Sequence, residues 1–275
     1  MASSAKLPTF SRFVVYPESE NGFINLLHLV REYEVPYFVI GGMSNLLVRN
    51  HIYDGVFIKT DKIAAKYLAE DKITLGTGVR MSGVIRDMAS RGLGGLEGLA
   101  GIPGTVGGMV KQNAGAFGYE TSDRLKCAIC YFPEDNKLLK LSGKDMCFSY
   151  RSSILSEKKA VLVSATFELT SKPADEIISE ITEIREQRLK SQPVEYPSLG
   201  SVFKRYNGVG AGFYIDKAKL KGFSIGGAQV SEKHAGFIVN TGGATADDYL
   251  RVVDYVKNRV YAVWGIELEE EIEII

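Results

Sequence analysis

The sequence predicts an α+β chain of more than one domain, and three observations carry that reading. Helical and strand periodicities alternate along its 275 residues, the pattern of a mixed chain. Glycine is overused at 29 residues, with 13 between Gly76 and Gly118 and another 10 between Gly200 and Gly243. A proline-punctuated stretch, residues 191–197, follows a long charged helix and reads as a linker.

Composition narrows the field. Apolar residues make up 45% and charged residues 24% of the chain, the ordinary globular range. The 33 Lys and Arg balance the 33 Asp and Glu, so no cationic excess exists to displace counterions from nucleic acid. No apolar run approaches the roughly 20 residues of a membrane span. The opening MASSAKLPTF has no apolar core of a secretory signal, so a cytoplasmic protein without membrane insertion is expected.

Taken in order, Phe23, Leu26, Leu27 and Val30 share one face and predict a helix over 21–34, followed by an apolar strand over 36–40. Gly41-Gly42-Met43-Ser44-Asn45 is a turn, and Leu46 resumes the apolar run. Strands are predicted at 56–59 and 73–75, and a helix over 81–91 that stops at Gly92. Three strands follow at 126–132, 137–141 and 160–169, the first two joined by a turn at 133–136. A charged amphipathic helix covers 173–190. The final unit is a helix over 246–264 and a strand over 266–275.

The familiar glycine fingerprints are absent. There is no GxxxxGK[ST], and neither Gly76-Thr77-Gly78 nor Gly92-Leu93-Gly94 has the third glycine of a dinucleotide fold. The 41–45 turn is either an ordinary turn or a phosphate cradle built from exposed N–H groups. Cys127 and Cys130 have metal-ligand or redox spacing, but on a strand they face opposite ways, which favours a buried structural cysteine. His28, His51 and His234 show no metal spacing, and no metal site is expected. In the tail, Glu267, Glu269, Glu271 and Glu273 share one strand face, and Ile266, Leu268, Ile272 and Ile274 the other. That acidic face is either solvated or places a carboxylate in a cleft for acid–base work. Tyr150-Arg151 offers a phenol beside a cation suited to carboxylate or phosphate.

Five blocks in order carry a resemblance: GIPGTVGGMVKQNAGAFG (101–118), SYRSSIL (149–155), QPVEYPSLGSVFK (192–204), KGFSIGGAQVSEKHAGFIVN (221–240) and the tail LEEEIEII (268–275). With them the chain resembles the UDP-N-acetylenolpyruvoylglucosamine reductase (MurB) family, in its shorter subtype, over residues 20–275. The resemblance implies a two-lobed FAD-binding domain of the vanillyl-alcohol-oxidase (PCMH) type, residues 1–190 with lobes of about 1–60 and 61–190. A smaller α+β substrate-binding domain, 191–275, would follow, its last strand closing onto the active site. It implies non-covalent FAD, with NADPH reducing the flavin before hydride passes to the enolpyruvyl group of a UDP-sugar in cell-wall synthesis. A monomer is expected.

Residue by residue, the resemblance implies that FAD is held by Gly41, Gly42, Met43, Ser44, Asn45 and Leu46. The second flavin segment would be Gly101, Ile102, Pro103, Gly104, Gly107, Gly108, Asn113, Ala114 and Gly115. Arg151 matches the arginine that stabilises charge spreading into the substrate carboxylate, Glu271 the catalytic glutamate, and Ser201 the serine that protonates the α-carbon. A serine is a weak acid and serves here only because the carbanion-like centre is a strong base. Tyr150, Lys204, Arg185, Arg188 and Gln229 would bind the UDP-sugar. Departures are Met43 where the family has glycine, Arg205-Tyr206 in place of Asn-Pro, and Glu273 in place of an arginine.

Overall fold

The computed structural model describes residues 1–49 and 52–275; His51 of the sequence reading lies outside them. The chain forms two compact units. One gathers Phe13–Gly42 with Gly55–Glu186, the other Met1–Arg12, Met43–Asp54 and Gln187–Ile275.

The first unit is built on a five-stranded antiparallel sheet, in the order Lys137–Ser142, Leu125–Phe132, Val161–Glu168, Lys72–Gly76, Lys66–Ala69. Ala165 lies opposite Ala128 on one side and Leu75 on the other. Side chains alternate along Leu125–Phe132, and a register shift opposite Ile129 and Cys130 resets the alternation in Val161–Glu168, so the sheet buries both faces. Leu162, Ala165, Phe167 and Cys130 join the helices Met81–Ser90 and Val106–Lys111 in one core. Val163 and Tyr131 point the other way, to Phe23, Leu27 and Val30 of the helix Glu20–Glu32 and to Val56 and Ile58. Met81–Ser90 is a helix because Met81, Val84, Ile85 and Met88 recur on one buried face, and Gly92 at φ 71° ends it. Cys130 is fully buried and burial pushes its thiol up to about 12. His28 bonds Tyr131 Oη through Nδ1 at 3.3 Å, a structural contact.

The second unit carries a four-stranded antiparallel sheet, Ser198–Ser201, Phe237–Asn240, Ala228–Val230, Ser224–Ile225. It packs on the helix Ala246–Trp264 through Tyr249, Val252, Val253, Val256 and Val260. Thr245 and Asp248 form a capping box at that helix's start, and Gly265 in the left-handed region closes it.

The units differ from the expected division. Residues 1–12 and 43–54 cluster with the C-terminal segment because side-chain bonds to main-chain carbonyls and a strand pairing tie them there. Ser4 Oγ donates to Ser198 O at 2.6 Å, Asn240 Nδ2 to Ala5 O at 2.9 Å, and Leu46–Leu47 pairs in parallel with Glu273–Ile274. The predicted tail strand is also interrupted. Ile266, Leu268 and Ile272 are buried as the alternation requires, but the chain bends at residues 271–272 and only Glu273–Ile274 is a strand. The strands Phe10–Val15 and Lys66–Ala69 and the helices Val106–Lys111 and Ala211–Lys217 were not foreseen.

Candidate active site

In the first unit two glycine turns lie against each other. A Cβ on Gly41 would overlap Thr105 Oγ1 and come within 3.3 Å of Thr105 Cβ, and one on Gly42 would meet the Gly104 backbone at 3.5 Å. Gly107 is closed off in the same way by Thr77, whose carbonyl would lie 3.2 Å from an added Cβ. At Gly41 and Gly107 only glycine lets the main chain lie this close to the threonine. Thr105 is 1% exposed, yet its hydroxyl has no hydrogen-bond partner among the described residues. Buried hydroxyls are normally bonded. A cradle of main chain with an orphaned hydroxyl beside it fits a cofactor that brings its own acceptor oxygens, as the FAD pyrophosphate would. Thr105 was missed in the sequence; its signal was a hydroxyl between Gly104 and the Gly107-Gly108 pair.

Further along, Gly101 takes φ 80° and is exposed, as are Pro103 and Gly108, while Ile102 and Gly104 are half-buried. Ala114 O accepts from Thr121 through both its N–H and its hydroxyl. Asn113 is 1% exposed at φ 41°. Its amide bonds Glu120, Ser149 and Ser122. Ser149 and Ser152 exchange two 3.2 Å main-chain bonds, which puts Tyr150 and Arg151 at the tip of a tight turn, Arg151 at φ 56°. Arg151 Nη2 donates to Gly115 O at 3.0 Å, and its guanidinium carbon lies 5.0 Å from the Tyr150 ring centroid. The cation is thus held at a loop predicted for the flavin.

In the second unit, Ser201 ends a strand and its hydroxyl donates to Phe203 O at 3.3 Å. Val202 O accepts the Glu271 N–H at 2.7 Å, and Lys204 N–H donates to Glu269 O at 2.9 Å. Ser201 and Glu271, 70 positions apart in sequence, therefore flank one ladder. Asn45 tightens it, donating from Nδ2 to Glu271 O and accepting the Glu273 N–H, both at 2.9 Å. Leu46 is buried beside this in the parallel pair, Ser44 is half-buried, and Met43 is buried at φ 51°. Met43 thus adopts the left-handed backbone that glycine takes without cost.

The expected sugar-nucleotide residues are more scattered. Lys204 Nζ pairs with Glu269. Gln229 Nε2 donates to Gly222 O at 3.2 Å. Arg188 is half-buried, donates to Gln192 Oε1 at 3.0 Å, and burial lowers its guanidinium from the ordinary value. Arg185 is exposed on the helix Ala174–Ser191.

The description "FAD binding domain" matches residues 11–132, and "UDP-N-acetylenolpyruvoylglucosamine reductase, C-terminal domain" matches 192–275. The UDP-N-acetylenolpyruvoylglucosamine reductase of Anoxybacillus flavithermus is 41% identical over 95% of this chain and 87% of its own. That of Clostridium perfringens is also 41% identical, over 95% and 86%. The crystal structure of UDP-N-acetylenolpyruvylglucosamine reductase from Thermus caldophilus superposes with a TM-score of 0.81 at 32% identity, covering 95% of this chain and 91% of that one.

Proposed function

The chain belongs to the UDP-N-acetylenolpyruvoylglucosamine reductase family, and from that premise we propose how its residues divide the reaction. It is an FAD-dependent oxidoreductase of peptidoglycan synthesis that reduces the enolpyruvyl group of UDP-N-acetylglucosamine enolpyruvate to UDP-N-acetylmuramate with NADPH. FAD, when bound, supplies the two-electron relay between the nicotinamide and the substrate double bond.

The chain's own residues do the rest. The turns at Gly41-Gly42 and Gly104 to Gly108, with the Thr105 hydroxyl, hold the pyrophosphate, and the main chain of residues 43–46 and 114–115 serves the flavin. Arg151 meets the substrate carboxylate, into which charge spreads when the β-carbon is reduced; a guanidinium can grip both oxygens. Ser201 Oγ gives its proton to the α-carbon, so the product gains one hydride and one proton across the former double bond. Glu271 hydrogen-bonds the developing enol. The main-chain bonds from Glu271 to Val202 and from Lys204 to Glu269 support this division most strongly, because they tie the segment that follows Ser201 to the one that carries Glu271, 70 positions away.

Lys204, Arg188 and Gln229, with Tyr150 and Arg185, take the UDP-sugar. The Lys204 pair with Glu269, a residue 70% exposed, is weak enough at a surface to exchange for a phosphate oxygen. Both substrates are water-soluble nucleotides, which supports action in the cytoplasm. Purified protein is expected to be yellow and to oxidise NADPH only when UDP-N-acetylglucosamine enolpyruvate is present; failure to bind FAD would refute the proposal.

A further inference from the structure

Asn113 stands in the flavin segment by sequence, but its side chain is spent elsewhere. It follows the helix Val106–Lys111 at φ 41° and is 1% exposed. Its Nδ2 donates to Glu120 Oε2 at 2.8 Å and to Ser149 O at 3.2 Å, and its Oδ1 accepts the Ser122 N–H at 3.0 Å. Both amide hydrogens and the oxygen are engaged, so the amide has no hydrogen left for a ligand. Ser149 is the first residue of the Ser149-to-Ser152 turn that carries Arg151. Two residues after Asn113, Gly115 O receives the Arg151 guanidinium at 3.0 Å. The short segment 113–115 therefore grips the arginine turn at its base and at its tip.

We infer that Asn113 is a positioning residue for Arg151, fixing the turn so that the guanidinium meets the substrate carboxylate, and is not a ligand of FAD. The inference rests on the reading above that Arg151 stabilises the charge developing on the substrate. Arg151 holds a left-handed backbone at φ 56°, a conformation a non-glycine residue keeps only where its surroundings impose it. The Asn113 amide is one such constraint. Without the Ser149 bond the turn relaxes, and a shift of about 1 Å in a group that must meet a reacting centre costs roughly 100-fold in rate.

The test separates this role from simple structural support by swapping the chemistry of two partners. Asn113→Asp removes both donors and sets a carboxylate against Glu120. In Asn113→Asp with Glu120→Gln, the new amide at position 120 donates back to the new carboxylate at position 113. That carboxylate still accepts the Ser122 N–H, while its other oxygen faces Ser149 O with no hydrogen between them, so the hold on the turn is replaced by a repulsion. The double variant is expected to recover the wild-type melting temperature and FAD dissociation constant and to be reduced by NADPH at the wild-type rate. Its reoxidation by UDP-N-acetylglucosamine enolpyruvate should stay about 30- to 100-fold slow, and in an Arg151→Ala background the same pair of changes should slow it less than about 3-fold further.

Reoxidation within about 2-fold of wild type in the double variant, or a further slowing in the Arg151→Ala background as large as in wild type, would overturn the positioning role. A weakened FAD dissociation constant in a double variant of wild-type melting temperature would assign Asn113 to the cofactor and also overturn it. Wild-type protein that is not reoxidised by this substrate would instead refute the underlying reading of Arg151, so the two failures are distinguishable.

Discussion

Gly41→Ala tests the cofactor cradle at its tightest point. The new Cβ would overlap Thr105 Oγ1 and crowd Thr105 Cβ and Cγ2 at 3.3 and 3.4 Å. Gly41 is not in the left-handed region, so an alanine strains no backbone there and would gain about 0.4–1 kcal/mol from the stiffer unfolded chain. Thr105 is 1% exposed at the head of a helix and cannot recoil into solvent. Overpacking of this kind costs roughly 1–3 kcal/mol, so the net effect is a loss of up to about 2.5 kcal/mol. Thr105→Ala removes both the oxygen and the methyl that collide. In that background Gly41→Ala should become neutral or slightly stabilising, a coupling of about 1–3 kcal/mol. Urea unfolding of the apo-protein followed by far-ultraviolet circular dichroism reads this directly; the single tryptophan, Trp264, reports on the other unit. FAD affinity should behave differently. Loss of the Thr105 hydroxyl removes one bond worth about 0.5–1.5 kcal/mol, and restoring the packing will not return it. An equal cost of Gly41→Ala in both backgrounds would refute the overlap as its cause.

Three further outcomes follow from the same physics. Lys172 lies 3.5 Å from Glu97, a carboxylate only 1% exposed, while Lys172 itself is 37% exposed. Lys172→Met should therefore destabilise by about 2–3 kcal/mol, less than a fully buried pair would lose. Adding Glu97→Gln should recover most of that loss in urea unfolding. Burial, helped by the Lys221 charge, holds His234 below its ordinary 6.5, so the folded protein keeps it neutral while the unfolded chain protonates it. Stability should accordingly be full above about pH 6.5 and fall as pH drops through the lowered native value. Thermal midpoints at pH 8 and 5.5 should show the wild type losing more than His234→Gln, and the reverse order would contradict the sign. Met43 at φ 51° is 6% exposed. Relief of about 1–2 kcal/mol of left-handed strain in Met43→Gly is outweighed by about 1.5–3 kcal/mol of lost burial and glycine's extra chain entropy. A net loss near 1 kcal/mol is expected in urea unfolding, and a gain would show that the side chain contributes little.

Much of this was legible in the sequence wherever the cause is local. The helix Ala246–Trp264 announces itself through Thr245, Asp248 and Gly265, whose capping chemistry acts within a few residues. The helix Met81–Ser90 is written in its apolar spacing. The crowded glycines 41 and 107 stand out by residue type alone. What stayed hidden depends on long-range choice. Nothing local tells Ser4 to meet Ser198, or Ala5 to meet Asn240, so the clustering of residues 1–12 with the C-terminal segment is not legible in the sequence. The tail alternates in burial as read, but the bend at residues 271–272 comes from Val202 O taking the Glu271 N–H, a partner that periodicity cannot name. Thr105 and Asn113 show the same limit for the site. Their residue types were plain, but that one hydroxyl is orphaned and the other side chain fully engaged is decided by neighbours distant in sequence.

The central claim, that this chain passes two electrons from NADPH to an enolpyruvyl sugar nucleotide, is tested most directly by an anaerobic titration of the FAD-loaded protein. One equivalent of NADPH should bleach the flavin. One equivalent of UDP-N-acetylglucosamine enolpyruvate should then restore the yellow colour with stoichiometric UDP-N-acetylmuramate, and Ser201→Ala should block the second step while leaving the first intact. A flavin that bleaches with NADPH but stays reduced in the presence of this substrate would contradict the account.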